Sequence, residues 1–319
     1  MSTAPGTVVG GATPRSRRAE FMARGGWQGL MFSLPAIILL VVFMVYPVLW
    51  TIRLSLDTGR GLRFREFVGL DNFERLLTND RRFLDLSGFP PDGALVNNIK
   101  WIVLYTSLCL ILGLLMAVLA TRVRYESMIK AIIFVPMAIA ATAVAIIWKF
   151  VYSPDPDIGV LNAAIQGFGG DPISWLGRES TVNYAIIFAY VWASAGFAMV
   201  VLSAALKGIS QEVIEAARTD GATEWDIFRR IQFPLLSLPI SVVTVWLVIN
   251  VIKVFDIIYV MTAGGPNGAS QVIAYTMYDQ TFQGSKGGYG AAIAVIMLIM
   301  MIPIMAFNIK RFRSEAVVQ

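Results

Sequence analysis

The sequence predicts an all-α membrane protein with six transmembrane helices. Of its 319 residues, 56% are hydrophobic and only 15% are charged, a balance too apolar for a soluble globular domain. The mean hydropathy is also positive. Six separate apolar runs are long enough to cross a bilayer core of about 30 Å, which takes roughly 20 helical residues. These observations together indicate a multi-pass protein embedded in a lipid bilayer.

The six predicted spans form one domain over residues 27–313. They cover residues 30–52, 101–120, 131–151, 184–206, 235–261 and 289–309. Pro136, Pro239 and Pro303 fall inside three of them and predict kinks, because proline removes a backbone hydrogen bond. The basic stretch of residues 1–26, rich in Gly, Ser, Thr and Pro, is predicted to be a disordered cytoplasmic tail, and residues 314–319 a short C-terminal tail.

Lysine and arginine indicate the orientation of the spans. They are concentrated in the N-terminal tail, in residues 121–130, in the loop after the fourth span and at the C-terminal end. The loops after the third and fifth spans carry only Arg178 and Lys286. Residues 53–100 disagree, with eight basic residues, but this long loop also carries seven acids, and long loops determine topology weakly. The rule of positive inner loops therefore predicts that both termini are cytoplasmic.

Several kinds of chemistry are missing from the chain. It has no histidine, and its single cysteine, Cys109, lies in an apolar run, so a Cys/His zinc site and an intrachain disulfide are excluded. The glycines around Lys286 lack the spacing of a phosphate-binding loop, and no nucleophile elbow occurs. The net charge of +5 is explained by residues at membrane ends and gives no argument for nucleic acid. We therefore expect a chain without catalytic, metal-binding or cofactor residues.

The polar stretch of residues 211–234, between the fourth and fifth spans, predicts two short helices joined by a glycine turn. Ser210 is placed to cap the first helix, and Gly221 can adopt the positive φ that ends it. Thr223 and Asp226 have the spacing of a capping box for the second helix. The plain interpretation is an amphipathic loop at the membrane surface.

Glu-Ala-Ala at residues 215–217 is followed after three residues by Gly221, and after nine more by Ile231 and Pro234. This pattern resembles the EAA loop of the permeases of ABC importers, with Phe233 in place of the usual leucine. The resemblance implies the type I importer permease fold, and a coupling helix that sits in a groove of a separate ATPase subunit. The residues it assigns to ATPase coupling are Glu212, Glu215, Ala216, Ala217, Asp220, Gly221, Ile231 and Pro234.

Two outer loops narrow the resemblance to sugar permeases of the maltose type. Residues 69–73 carry a Gly-Leu-Asp-Asn-Phe sequence, and Asn97 precedes the second span. After the fifth span, Thr262, Gly264, Gly265 and Pro266 match a Thr-x-Gly-Gly-Pro signature. Glycines and proline in that order also form a tight turn without any bearing on substrate. Other loops are most similar to those of α-glucoside permeases.

The resemblance implies a set of partners. They are a second, related permease, two ATPase subunits that bind MgATP, and an external sugar-binding protein. The predicted activity is import of a carbohydrate by alternating access across a bacterial or archaeal cytoplasmic membrane. An ion-coupled transporter is the rival, although Asp256 is the only acid inside a predicted span. A permease for a non-sugar solute is a second alternative.

A sugar pathway requires polar and aromatic side chains on one face of an apolar helix. In the fourth span Tyr190, Ser194 and Phe197 share a face, and in the fifth span a second such face is present. Helix packing explains such an aromatic stripe equally well. Lys253 and Asp256 are predicted to pair on one helix face, or Lys253 reaches the headgroups. The predicted pathway residues of the fifth span are Leu247, Asn250, Val251, Lys253 and Val254.

Overall fold

A computed structural model describes residues 26–121 and 123–316, and in that part of the chain the regular structure is helical. Extended backbone pairs there only as isolated bridges, such as Asp57 with Phe67. The all-α prediction is therefore confirmed. The predicted N-terminal tail lies outside the described residues apart from Gly26, and so do residues 317–319 of the predicted C-terminal tail.

The chain divides into two compact units, the first ending at Thr51 and the second beginning at Ile52. Helix α1 consists of Gly26–Leu40, a π-helical turn at Val41–Val45, and Tyr46–Ser55. Every residue from Gly29 to Trp50 is exposed. Because this helix is apolar on all sides, its surroundings must be lipid or another protein rather than water.

Three long helices in the second unit also satisfy the length and hydropathy of a membrane span. They are α2 (Ala94–Ala120), α5 (Glu179–Lys207) and α10 (Gly287–Ala316). Each is longer than the corresponding predicted span. α2 and α5 pack closely, since a Cβ at Gly113 would lie 2.5 Å from the Cβ of Ala198. Small residues at such a position allow two helix backbones to approach.

The predicted span of residues 131–151 is broken rather than kinked. α3 (Glu126–Phe134) continues into a 3₁₀ turn at Val135–Ala138, and α4 (Ala141–Val151) begins after a gap. The two helical parts meet at 99°. Pro136 lies in the 3₁₀ turn, where it removes a backbone donor and cannot continue an α-helix.

The predicted span of residues 235–261 is interrupted twice. Helix α7 spans Glu224–Leu235 with a π-helical segment inside it, and meets α8 (Ser237–Ile252) at 63°. Pro239 lies in the first turn of α8 and has no N–H for the carbonyl of Leu235, so the break falls where that bond is missing. α8 ends before Lys253, and α9 (Asp256–Met261) is a separate short helix. Pro303, by contrast, lies inside α10 without a break.

The main core lies between α2, α5 and α8. Its fully buried members include Trp101, Tyr105, Ile186, Ala198, Val243 and Leu247. A second cluster, in which Leu236 contacts Met199 and Leu202 at the other end of α5, lies beside residues 211–234. This placement puts the polar loop directly against the end of a central helix.

Candidate functional site

The loop of residues 211–234 forms the predicted helix, glycine turn and helix. α6 spans Gln211–Thr219, and Gly221 has a φ of +84°, which allows the amide of Ala222 to donate to the carbonyl of Ala217. Thr223 and Asp226 form a capping box, with the Asp226 amide donating to the Thr223 hydroxyl at 3.2 Å. Ser210 occupies the N-cap position, but its side chain makes no capping hydrogen bond.

One face of α6 is directed into the protein and the other is open. Ile214 is buried, whereas Glu212, Glu215 and Ala216 are exposed. A Cβ at Gly221 would meet no atom within 4 Å. The remaining predicted coupling residues divide similarly: Asp220 and Pro234 are exposed, and Ala217 and Ile231 are half-buried. The exposed face therefore carries two small residues, Ala216 and Gly221, beside the larger side chains of Glu212 and Glu215.

Specific contacts hold the two helices of this loop together. Arg218 Nε lies 3.0 Å from Glu224 Oε1, which joins α6 to the start of α7. Ile227 is buried, and Trp225 stacks on Phe228 with ring centroids 5.7 Å apart. Direct contacts therefore join the two helices of the loop to each other.

A polar cavity of about 230 Å³ lies where the two broken spans approach each other. Its lining includes Ala141 at the start of α4, and Lys253 and Asp256 at the gap between α8 and α9. Tyr190 from α5 and Asn250 from α8 complete its polar wall. Breaks in both spans free backbone groups that water or a ligand can satisfy, which is why irregular backbone at membrane depth lines cavities.

The predicted pathway residues are only partly brought together by this cavity. Val254 also lines the wall, but Leu247 and Val251 are fully buried in the core. Ser194 is buried as well, and Phe197 packs on Trp246 with ring centroids 4.1 Å apart. The apolar residues of the fifth span thus pack against neighbouring helices in this conformation.

The predicted pairing of Lys253 with Asp256 on one helix is wrong. The helix ends at Ile252, so the two residues belong to different elements. Both residues are exposed at the cavity, and no ion pair joins them. Asn250 donates to the carbonyl of Trp246 at 2.8 Å, one turn earlier in α8.

Thr262, Gly264, Gly265 and Pro266 lie in a tight turn after α9. Gly264 has a φ of +81°, and a Cβ there would lie 2.6 Å from the ring of Tyr275. The Thr262 hydroxyl contacts that of Ser270 at 2.8 Å. Only glycine fits the backbone at position 264, which explains part of the motif in structural terms.

Two buried asparagines hold this turn against the long helices. Asn97 of α2 donates to the carbonyls of Ala269 and Gln271, both at 2.9 Å. Asn183 of α5 donates to the same Ala269 carbonyl at 2.6 Å. Neither amide was predicted to do this, although the presence of asparagine at the end of an apolar helix is a recognisable signal.

A third asparagine, Asn98, joins the last turn of α8 to the segment that follows the Gly-Gly-Pro turn. Its amide donates to the carbonyl of Val251 at 3.1 Å and its oxygen accepts from the amide of Ile273 at 2.7 Å. Sequence reasoning missed this residue. We refer to Asn97, Asn98 and Asn183 together as the asparagine clamp.

A helical membrane chain with two broken spans, a polar cavity between them and an ordered surface loop has the features of a transport permease. Comparison with known proteins makes the class specific. Residues 109–309, more than half of the chain, match the family described as "Binding-protein-dependent transport system inner membrane component". The chain belongs to this family.

Two curated relatives and one solved structure support the assignment. An osmoprotective compounds uptake permease of Synechocystis sp. is 43% identical over 289 residues, covering 89% of this chain and 99% of the relative. An alpha-glucoside transport system permease of Rhizobium meliloti is 40% identical over 291 residues, covering 90% and 82%. The crystal structure of a bacterial alginate importer has the same fold, with a TM-score of 0.74 at 23% identity over 94% of this chain and 99% of that one.

The predicted class is therefore confirmed. The chain is the permease subunit of an ABC importer and lies in the inner membrane. It is not itself an enzyme, because in this family the ATPase belongs to partner subunits. The type I importer fold predicted from the EAA resemblance is also confirmed by the structural match.

Proposed function

We propose that this chain is one of two related permease subunits in an importer for carbohydrates, with an α-glucoside or a short oligosaccharide as substrate. The observation that carries the proposal is the ordered loop of residues 211–234, which combines the EAA spacing with exposed small residues at Ala216 and Gly221. The substrate class is supported by the alpha-glucoside permease, which is 40% identical to this chain.

The loop is proposed to receive force from an ATPase subunit on the cytoplasmic side. Ala216 and Gly221 would lie against the ATPase, while Glu212 and Glu215 would meet basic side chains there. Closure of two ATPase subunits on MgATP would then move the loop. Leu236, buried against Met199 and Leu202, would pass that motion to the bundle.

The cavity at the two helix breaks is the proposed passage for the sugar. Tyr190 offers a flat ring face, and the amide of Asn250 can bond hydroxyl groups. Lys253 and Asp256, which are exposed at the cavity, supply further polar contacts. Ser194 and Phe197 lie on the same helix as Tyr190 and would join the path in a conformation that opens between α5 and α8.

The substrate proposal is tested with the importer reassembled in proteoliposomes from this chain, its second permease, the ATPase and the external binding protein. We expect ATP-dependent uptake of radiolabelled maltose, sucrose or trehalose that requires the binding protein. Uptake driven by a proton or sodium gradient without ATP would contradict the proposal. An external binding protein that binds amino acids or phosphate but none of these sugars would also contradict the proposal.

A further inference from the structure

A charged cluster lies at the base of the loop of residues 211–234, which we call the coupling loop after its proposed role, and outside every site described so far. Lys207, the last residue of α5, places its Nζ 2.9 Å from Glu126 Oε2, at the first residue of α3. The other carboxylate oxygen, Oε1, accepts from Lys130, which also contacts the hydroxyl of Ser203. We call these four residues the Glu126 cluster.

The cluster is more protected than an ordinary surface ion pair. The side chains of Glu126 and Lys130 are 21% and 19% exposed, and Ser203 is fully buried. Lys207 is the more open partner, with 57% of its side chain exposed. One carboxylate between two ammonium groups, partly withdrawn from water, is screened less by salt than an exposed pair.

The position of the cluster relates the coupling loop to the first broken span. Gly208 follows Lys207, and α6 begins at Gln211, so the lysine lies one short turn before the coupling helix. On the other side, Glu126 starts α3, which leads to the 99° break and to α4. The beginning of α4, at Ala141, lines the polar cavity.

The far end of α3 is also tightly held by α5. A Cβ at Gly196 would lie 2.5 Å from the carbonyl oxygen of Ile133 and 3.0 Å from the Cα of Phe134. α3 is therefore attached to α5 at both ends. Ion pairs between side chains hold it near the loop, and close backbone packing holds it near the break. A body held in this way moves with α5 rather than independently of it.

We infer that Glu126 is a positioning residue that carries the movement of the coupling loop to α3 and α4, and so to the cavity. The inference rests on the proposed function. The chain itself leads from the loop forward through α7 to α8, which reaches only one broken span. The Glu126 cluster connects the loop to the other broken span, which contains α3 and α4. Both breaks beside the cavity would then respond to the same movement of the loop.

The inference predicts a loss of coupling rather than a loss of folding. In the reassembled importer, Glu126→Gln keeps the size of the side chain and removes its charge. We expect maltose uptake per ATP hydrolysed to fall by about fivefold, the scale of typical coupling mutations. Lys207→Met changes the more exposed partner and is expected to lower uptake per ATP as well. It replaces Glu126→Gln in the test if that variant does not assemble.

Charge exchange and a matched control make the test specific. Glu126→Lys combined with Lys207→Glu returns one carboxylate to a position between two ammonium groups and should restore uptake per ATP. Asp92→Asn removes another exposed ion pair, 3.7 Å from Lys100 and far from the loop in sequence, and should change nothing.

Two results would overturn the inference. In one, Glu126→Gln and Lys207→Met keep the uptake per ATP of the Asp92→Asn control. In the other, uptake and ATP hydrolysis fall in proportion and the charge exchange does not restore them, which indicates a purely structural role. Failure of the proposed function is distinguished beforehand, since the unaltered importer would then show no ATP-dependent sugar uptake.

Discussion

Ala216 and Gly221 are the small exposed residues of the coupling loop. Both are exposed, and the space around a Cβ at Gly221 is empty. The φ of +84° by itself favours glycine at position 221. The small side chain of Ala216 fits the proposed close approach of an ATPase subunit, whereas glycine at position 221 is already favoured by its own backbone.

Replacing Ala216 by tryptophan should disturb that contact and leave the fold intact. An indole in a close-packed interface costs about 1–3 kcal/mol, so we expect Ala216→Trp to lower maltose-stimulated ATP hydrolysis about tenfold. The measurement is phosphate release by the reassembled importer. Ala163→Trp, at an exposed alanine of the helix Val160–Gly167, is the matched control and should have no effect. Equal activity of the two variants would refute docking at Ala216.

Residue-scale predictions succeeded where the physics is local. The positive φ of Gly221 and the Thr223–Asp226 capping box depend on a few neighbouring residues and could be predicted. The burial of Val251 depends on the packing of three helices, and the separation of Lys253 from Asp256 depends on where α8 ends. No short pattern contains that information.

The helices show a similar division between what the sequence contains and what packing decides. Pro136 and Pro239 predict kinks, and the structure has full breaks at or near these residues. The angles of 99° and 63° were not predictable, because they depend on the surfaces against which each half packs. Pro303 shows that a proline alone does not decide whether a helix breaks, since α10 continues through it.

The packing of α2 on α5 provides a test at the scale of elements. Alanine has a higher helix propensity than glycine by about 1 kcal/mol, but at Gly113 its Cβ would lie 2.5 Å from that of Ala198. We expect the steric cost to exceed the gain, so Gly113→Ala should lower the melting temperature of the purified protein by about 2–4 °C. The measurement is intrinsic fluorescence during heating.

A glycine at which an added methyl group would contact nothing supplies the control for this prediction. Gly167 lies at the end of a short helix, and a Cβ there would meet no atom within 4 Å. Gly167→Ala should leave the melting temperature unchanged or raise it slightly. If Gly113→Ala is as stable as Gly167→Ala, the two helices can separate enough to accept a methyl group, and the tight contact is not essential.

For the whole molecule, the fold class and the permease function followed from composition and two motifs, whereas orientation in the membrane remains a prediction. The basic residues of the other loops predict that residues 121–130 are inside the cell and therefore that residues 53–100 are outside, against the eight basic residues of that segment. The long outer segment carries enough arginine to make this assignment worth testing. Because Cys109 is buried, we expect little labelling of the unaltered chain by a thiol reagent.

Two exposed serines allow the orientation to be measured. Ser87→Cys should react with a membrane-impermeant maleimide in intact spheroplasts, because Ser87 belongs to the predicted outer segment. Ser127→Cys, near the start of α3, should react only after the membrane is permeabilised. The unaltered chain should remain unlabelled in both conditions. The reverse pattern would place the coupling loop outside the cell, where no ATPase could reach it.

The asparagine clamp has a consequence for the habitat of the protein. Its bonds to the turn join amides to carbonyl groups, and none of these carries a charge that salt could screen or acid could remove. In the proposed orientation this end of the bundle meets the outside medium, whose brine and acidity a cell does not control. The Glu126 cluster, by contrast, relies on ionic contacts, and in the proposed orientation it faces the cytoplasm, whose salt and pH the cell regulates.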